Sequence, residues 1–436
     1  MKSITNSQPL SIVDGIAIVA GMVIGPGIFK TPAIVAANSG DSQTTLLLWL
    51  LGGAISLMGA LCYAELASTF PHKGGEYHFL YRSFGEKVSF LFAWARMTVI
   101  QTGSMAMLSF LIGDYASQVV NLGNYSSSYY AAFTIILLTM INVKGMRQSS
   151  ILQKTLMAGI LMGLFFIIIT GTGLAAKTMA ATERFSSGNA IYGRAMIFVL
   201  LTYGGWNEAA YLSAEISSAR GAMARVLFYS IGLITTVYLL ANYSFLHGLG
   251  YKDVIESEAV AADLMQFAWG TTGAKILSAV VAIAALSTVN AVIITGARTN
   301  YALGKDFKIF KFLAQWKESG STPVNALFLQ AAIALLLVAL GTGMRSGFIT
   351  MVEYTAPVFW FFFLLVGASV FILRYKEPAA NRPFRVPLYP IPPILFTLAA
   401  AYMLQSSLAY TGVGALVGVT VLIAGAPMLF FMKKKD

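Results

Sequence analysis

Charge is scarce in this chain. Of its 436 residues only 11% are Asp, Glu, Lys or Arg, whereas 57% are hydrophobic. That balance excludes a soluble enzyme of this length. Acidic residues are the scarcer half, 18 against 29 Lys and Arg, for a net charge of +11. A soluble protein with that excess would suggest a nucleic-acid partner; in an apolar chain it reads as basic loops on one side of a bilayer, and no nucleic acid is expected. The single Cys62 excludes an intramolecular disulfide. His72, His78 and His247 have no neighbours at metal-ligand spacing, so neither metal nor cofactor is expected. No connection is long enough for a separate soluble domain, which disfavours a receptor with an extramembrane module. No His/Asp/Ser constellation falls within the apolar runs, which disfavours an enzyme.

What the chain has is apolar runs of about 20 residues, each long enough to cross a hydrocarbon core of roughly 30 Å. They are continuous rather than alternating, so helices are expected and not a β-barrel. Breakers and periodicity place twelve spans at 12–37, 44–69, 84–117, 127–143, 149–175, 191–216, 223–247, 273–303, 323–342, 350–374, 388–408 and 412–431. The fold class is an all-α polytopic membrane protein with twelve transmembrane helices in one domain. The polar start, interrupted by Asp14, does not read as a cleaved signal peptide. Most of the Lys and Arg fall on the side shared by both termini, and the longest opposite connection carries Asp253, Glu256, Glu258 and Asp263. Both termini are therefore expected in the cytoplasm, in a multi-pass protein of the plasma membrane.

Two of the runs are broken from within. The first carries Gly25, Pro26 and Gly27 in succession, and the sixth carries Gly204 and Gly205. Spans five apart lie in opposite orientations, so the paired breaks suggest an inverted repeat, with 12–175 and 191–374 as its halves and 388–431 as two additional helices. A break at membrane depth frees backbone groups that cost several kcal/mol each in hydrocarbon. It survives where it is buried or lines a polar cavity. There the new helix half offers N–H groups and a positive dipole end, and the half that stops offers carbonyls. A zwitterion suits that arrangement. Its carboxylate would sit on the N–H groups of Gly27, Ile28 and Gly25, and its ammonium near the carbonyls of Val23, Ile24, Leu201, Thr202 and Gly204. Glycine also lets ligand atoms approach the backbone. The competing reading of each glycine is close helix packing. "GPGIFK" lacks the third glycine of a dinucleotide fingerprint and sits inside an apolar run.

At these residues the sequence resembles the amino acid–polyamine–organocation (APC) superfamily, and most of all its L-amino-acid transporter-like and bacterial amino acid permease branch. The motifs are "GPGIFKTP" in span 1, "AELASTFPHKGGEYHF" after span 2, "YGGWNEAAYLSAEI" in span 6 and "GARTNYALGKD" ending span 8. The resemblance covers nearly the whole chain and is specific to family, not to substrate. It implies a leucine-transporter-type fold, a 5+5 inverted repeat plus two C-terminal helices with helices 1 and 6 broken. It also implies amino acid or amine transport by alternating access, as symporter or antiporter. By that resemblance Val23 to Ile28, Leu201 to Gly205 and Asn207 form the substrate site.

Two positions depart from the family pattern. Pro26 stands where a small residue is usual, and proline lacks an N–H. Ile160 stands where several members carry a span-5 lysine that replaces a sodium ion; Lys154, about 9 Å toward the cytoplasm, reads as a snorkelling residue. Leu201 takes the place of a bulky aromatic over the substrate, for which Tyr203 or Trp206 could compensate.

Ionisable groups at membrane depth cost at least about 2.5–3.5 kcal/mol on insertion scales, so each is a candidate. Arg96 needs an acidic or carbonyl partner, with Glu208 the expected one, in either a structural pair or a gate. Glu208, Tyr211 and Glu215 share one helical face; Glu208 follows the break and could take a coupling proton, contact a basic substrate or hydrogen-bond within the bundle. Glu65 and Glu215 should pair with loop Lys or Arg. Ser287, Thr288 and Asn290 either line the cavity or join helices. Without an acidic ring the site favours a neutral cargo, and Glu208 facing the cavity would shift that to Arg, Lys or a polyamine. The expected function is amino acid transport or exchange in a bacterial inner membrane without an obligate protein partner. The alternatives are an amine transporter, a channel, a non-transporting sensor, or a chain paired with a single-span companion.

Overall fold

The computed structural model describes residues 12–72, 74–144, 162–173, 191–212, 222–316, 322–344, 346–409 and 412–431. All its regular elements are helices: α1 (Ile12–Val23), α2 (Thr31–Ala37), α3 (Ser42–Thr69), α4 (Glu76–Phe84), α5 (Glu86–Ala95), α6 (Gln101–Val119), α7 (Ser126–Lys144), α8 (Met162–Gly173), α9 (Tyr192–Tyr203), α10 (Ala222–Leu249), α11 (Tyr251–Glu256), α12 (Val260–Asp306), α13 (Val324–Thr342), α14 (Gly347–Lys376), α15 (Ile391–Ala409) and α16 (Val413–Ala424). Among the described residues eight helices are long and apolar enough to cross a membrane, and α8 and α9 are shorter apolar ones. Among the described residues the expected spans 1, 3 and 6 are interrupted, and span 12 ends in a separate 3₁₀ turn, Pro427–Phe431. Span 5 is described only over α8, so Lys154 and Ile160 lie outside the described residues, as does Glu215.

Local chemistry sets the ends of these helices. Asp41 caps α3, its carboxylate accepting from the Thr44 N–H at 2.7 Å. Between α3 and α5 the chain turns at Gly75, whose φ of +45° suits only glycine. That turn sends α4 back against α14 and α5. Between α5 and α6 lies a π-helical turn, Arg96–Ile100, in which the Gln101 N–H donates to the Arg96 carbonyl. Such turns widen a helix by one residue and often mark functional positions.

The bundle packs α6 against α12 and α7, α3 against α10, and α14 against α15 and α16. With no hydrophobic drive between helices in lipid, close approach of small residues matters more. Gly52 of α3 shows it: a Cβ there would lie 2.3 Å from Val199 of α9 and 3.1 Å from the Tyr203 ring. These contacts surround the two interrupted helices.

Candidate functional site

Helix α1 stops where the Ile24 N–H makes its last bond, to the Ala20 carbonyl at 2.7 Å. Gly25 is extended (φ −111°, ψ 179°), Pro26–Phe29 form one 3₁₀ turn, and α2 resumes the helix at Thr31. Pro26 is the first residue of that turn. Proline suits this position because the first N–H of a helix has no internal partner. The missing N–H of Pro26 is thus one that the turn does not need, and Gly27 and Ile28 head the new half.

Helix α9 stops at Tyr203, where the Gly204 N–H donates to the Leu201 carbonyl at 3.0 Å. Gly205 follows with φ +113°, and a 3₁₀ segment runs over Trp206–Leu212. The two breaks touch. A Cβ on Gly205 would lie 2.7 Å from the Met22 carbonyl oxygen, so glycine is required there by space as well as by conformation. The Thr31 and Thr202 hydroxyls lie 2.8 Å apart. The Tyr238 hydroxyl of α10 bridges both stopped ends, 2.8 Å from the Val23 carbonyl and 3.1 Å from that of Thr202.

A cavity of about 760 Å³ lies along these breaks. Val23, Gly25, Pro26, Gly27, Leu201, Thr202, Gly204, Gly205 and Asn207 line it, as do Arg96, Glu208, Ser287 and Thr288. Five expected site residues are not among its lining residues, although at two of them, Ile24 and Ile28, the expectation concerned backbone groups and not side chains. The Ile24 and Ile28 side chains are buried in the bundle. Tyr203 points away because its hydroxyl donates to the Trp49 carbonyl at 3.0 Å and its ring packs on Tyr238. Trp206 is held edge-on by Tyr63 at 5.0 Å and at a tilt by Phe363 at 5.7 Å. Neither therefore compensates for Leu201. Asn290 accepts from the Asn142 amide at 2.7 Å and so joins α12 to α7. The Tyr211 side chain lies outside the described residues. Aromatic cover comes instead from Phe348, Phe359, Trp360 and Phe362 of α14 and from Phe92 of α5.

Beside the second break sits an ion cluster. Arg96 Nη2 lies 2.9 and 3.0 Å from the two carboxylate oxygens of Glu208, the pairing expected from the sequence. Its Nη1 lies 3.6 Å from Glu76. Glu76 also accepts from the Tyr63 hydroxyl at 2.5 Å and the Asn207 amide at 3.1 Å. The Arg96 and Glu76 side chains are each 4% exposed and that of Glu208 is 32%, so of these three lining residues Glu208 is the most open. Glu76 is a lining residue that the sequence reading missed. Its signal is the glycine pair Gly74–Gly75 just ahead of it, where the chain turns back into the bundle.

A model of the amino acid permease family matches residues 10–430. The chain belongs to that family. The permease is 26% identical to the serine/threonine exchanger SteT of Bacillus subtilis, over 98% of this chain and 97% of the relative. It is 28% identical to the human large neutral amino acids transporter small subunit 2, over 97% of this chain and 80% of that one. With the human Asc-type amino acid transporter 1 it shares 26% identity, over 97% and 82%.

A group of polar contacts follows the first break. Beyond Gly27, Tyr115 donates to the Phe29 carbonyl at 2.6 Å. Lys30 pairs with Asp114 at 3.1 Å and donates to the Glu258 carbonyl at 2.7 Å. Ser127 donates to Asp114 at 2.7 Å. These bonds hold the start of α2 against α6 and the head of α12. Toward the opposite end Ile18 and Phe92 still line the cavity. There Glu65 takes Arg374 at 2.7 and 2.6 Å and the Val386 N–H at 2.7 Å, which fastens α14 and its following loop to α3.

Proposed function

We propose that this permease exchanges amino acids by alternating access, with the cargo held between the two helix breaks. One observation carries the reading: two interrupted helices meet backbone to backbone and border a single cavity. Its volume, about 760 Å³, is in the range of small-molecule sites. The cargo carboxylate sits on the N–H groups that open the turn at Gly27 and Ile28. The ammonium sits on the stopped ends, where the Val23 and Thr202 carbonyls each keep a second acceptor position beside the Tyr238 hydroxyl. Ser287 and Thr288 of α12 and the aromatic side chains of α14 close the remaining sides.

The reading extends to topology. Twelve spans in two inverted halves, with both termini in the cytoplasm, put the Lys30–Asp114 latch on the outer side and leave the cavity open inward. Alternation then exchanges this latch for closure near Ile18 and Phe92. The word "subunit" belongs to the mammalian large neutral amino acids transporter. SteT, matched over 97% of its length, is named as an exchanger. By that analogy the permease is read as an exchanger; that it works without an obligate protein partner is part of the same proposal.

Tracer counterflow tests this function. Purified permease is placed in liposomes preloaded with the common amino acids, and uptake of each labelled one is followed. Saturable uptake of a chemically related subset is the expected result. Folded protein that takes up none of them contradicts the proposal.

A further inference from the structure

Where α12 ends at Asp306, the chain turns into a 3₁₀ segment, Lys308–Ala314, before α13 begins at Val324. Both helices are long and apolar enough to cross a membrane, so the segment between them lies at a membrane face. Its burial pattern repeats every three residues, as a 3₁₀ turn does. Phe307, Phe310 and Leu313 are buried. Lys305, Lys308 and Lys311 are exposed. Ile309 and Phe312, each one position after a lysine, are 39% and 49% exposed, and Trp316 is 40% exposed.

The buried face fixes the segment. Phe307 meets the Phe90 ring of α5 edge-on at 5.0 Å, and Phe310 stacks on the same ring at 6.2 Å. Phe310 also lies 6.2 Å from Trp94 of α5. Trp316 packs on Tyr301 of α12 at 4.9 Å, and Lys305 lies 4.6 Å over that Tyr301 ring. The outward side chains therefore stand on a packed aromatic floor, which lowers the cost of ordering them on binding. Asp306 is the only acidic residue from 301 to 316, against three lysines.

Water suits the lysines but not Ile309, Phe312 and Trp316, and hydrocarbon suits the reverse. The boundary between lipid headgroups and acyl chains suits both. Aromatic rings collect at that depth, and lysine ammonium groups there meet headgroup phosphates. A zwitterionic headgroup brings its own cation, whereas an anionic one brings the charge that three lysines complement. Free phosphate has no apolar part to cover the rings.

We infer that Lys308–Ala314 and its flanking residues are a docking surface for anionic phospholipid. Headgroup phosphates sit on Lys305, Lys308 and Lys311, and acyl chains lie against Ile309, Phe312 and Trp316. The inference needs only that α12 and α13 cross the bilayer, and it stands apart from the carrier reading.

Bromine on a lipid chain quenches the fluorescence of nearby indole, and this gives the test. Full-length permease is reconstituted in equal parts of phosphatidylglycerol and phosphatidylcholine, with bromine on the chains of one lipid or of the other. Each protein is measured beside its own Trp316→Phe version, and the difference is the Trp316 signal. Bromine on phosphatidylglycerol is expected to quench that signal about threefold more than bromine on phosphatidylcholine. The Lys305→Gln, Lys308→Gln, Lys311→Gln triple variant should quench equally with both. Changing Lys433, Lys434 and Lys435 to Gln removes the same charge elsewhere and should keep the preference. Equal quenching in wild-type protein overturns the anionic preference. Quenching by neither lipid overturns the docking surface and directs attention to an acidic protein partner. Loss of preference in both triple variants overturns the assignment to this segment, because net charge then sets it. Counterflow in the same liposomes is read separately, so each of these failures leaves the carrier reading standing.

Discussion

The breaks in the first and sixth spans face the same difficulty, free backbone at membrane depth, and meet it with different chemistry. Glycine is not demanded by packing in the first. A Cβ on Gly25 would meet nothing closer than 3.7 Å, and one on Gly27 would rest 3.7 Å from Thr202, both ordinary contacts. Neither residue has a positive φ. Both line the cavity, so their bareness serves whatever approaches the backbone from that side. The second break needs its glycines to exist at all: Gly205 has φ +113° and lies against Met22, and a Cβ on Gly204 would be 2.9 Å from the Leu201 carbonyl. It also carries the charge, through Glu208 and its partners. One break offers bare backbone, and the other offers geometry and an electrostatic field.

The largest effect is expected from removing the shared cation of the second break. Arg96→Met leaves Glu76 and Glu208 facing each other and should cost about 3–5 kcal/mol, read as a large loss of thermal stability in detergent. Retained stability would show that the cluster is not held by charge. Next comes Gly205→Ala. A left-handed backbone and a 2.7 Å contact with a carbonyl together predict a loss of about 2–4 kcal/mol and separation of the two breaks. Gly27→Ala sharpens the contrast. It should leave the melting temperature nearly unchanged while raising the half-saturation concentration for uptake about tenfold, equivalent to about 1.4 kcal/mol. If Gly27→Ala instead unfolds the protein, packing and not cargo explains that glycine. The smallest effect belongs to the latch. Lys30→Gln removes a partly exposed pair worth about 1 kcal/mol or less, and should raise labelling of a cavity cysteine by an impermeant maleimide from the Lys30 side a few-fold.

Much of this was legible in the sequence, and the limits have physical causes. The breaks could be placed because glycine and proline interrupt a helix regardless of context. The Arg96–Glu208 pair could be anticipated because few charges lie within the apolar runs and each needs a partner. Glu76 was missed because it was counted into a loop, where only the glycine pair ahead of it marks the turn at Gly75 that brings it back inward. Tyr203 and Trp206 were assigned to the cavity by nearness to the break; in the structure the Trp49 carbonyl and the Tyr63 ring hold them elsewhere. The aromatic cover came from "VFWFFF" in α14, where a continuous apolar run carries no periodicity to show which ring faces inward. Asn290 and Ser287 read alike in sequence, and only their neighbours distinguish a helix-joining amide from a cavity-lining hydroxyl.

The central claim is that cargo occupies the cavity between the breaks. It is tested most directly by substrate protection of Thr288, a lining residue. Thr288→Cys is made in a Cys62→Ala background, which removes the one native thiol. Labelling by a membrane-permeant maleimide is then timed with and without an amino acid that undergoes counterflow. The account predicts that saturating amino acid slows labelling severalfold, with the same concentration dependence as uptake. Labelling at an unchanged rate, by protein that still transports, would place the cargo elsewhere and contradict it.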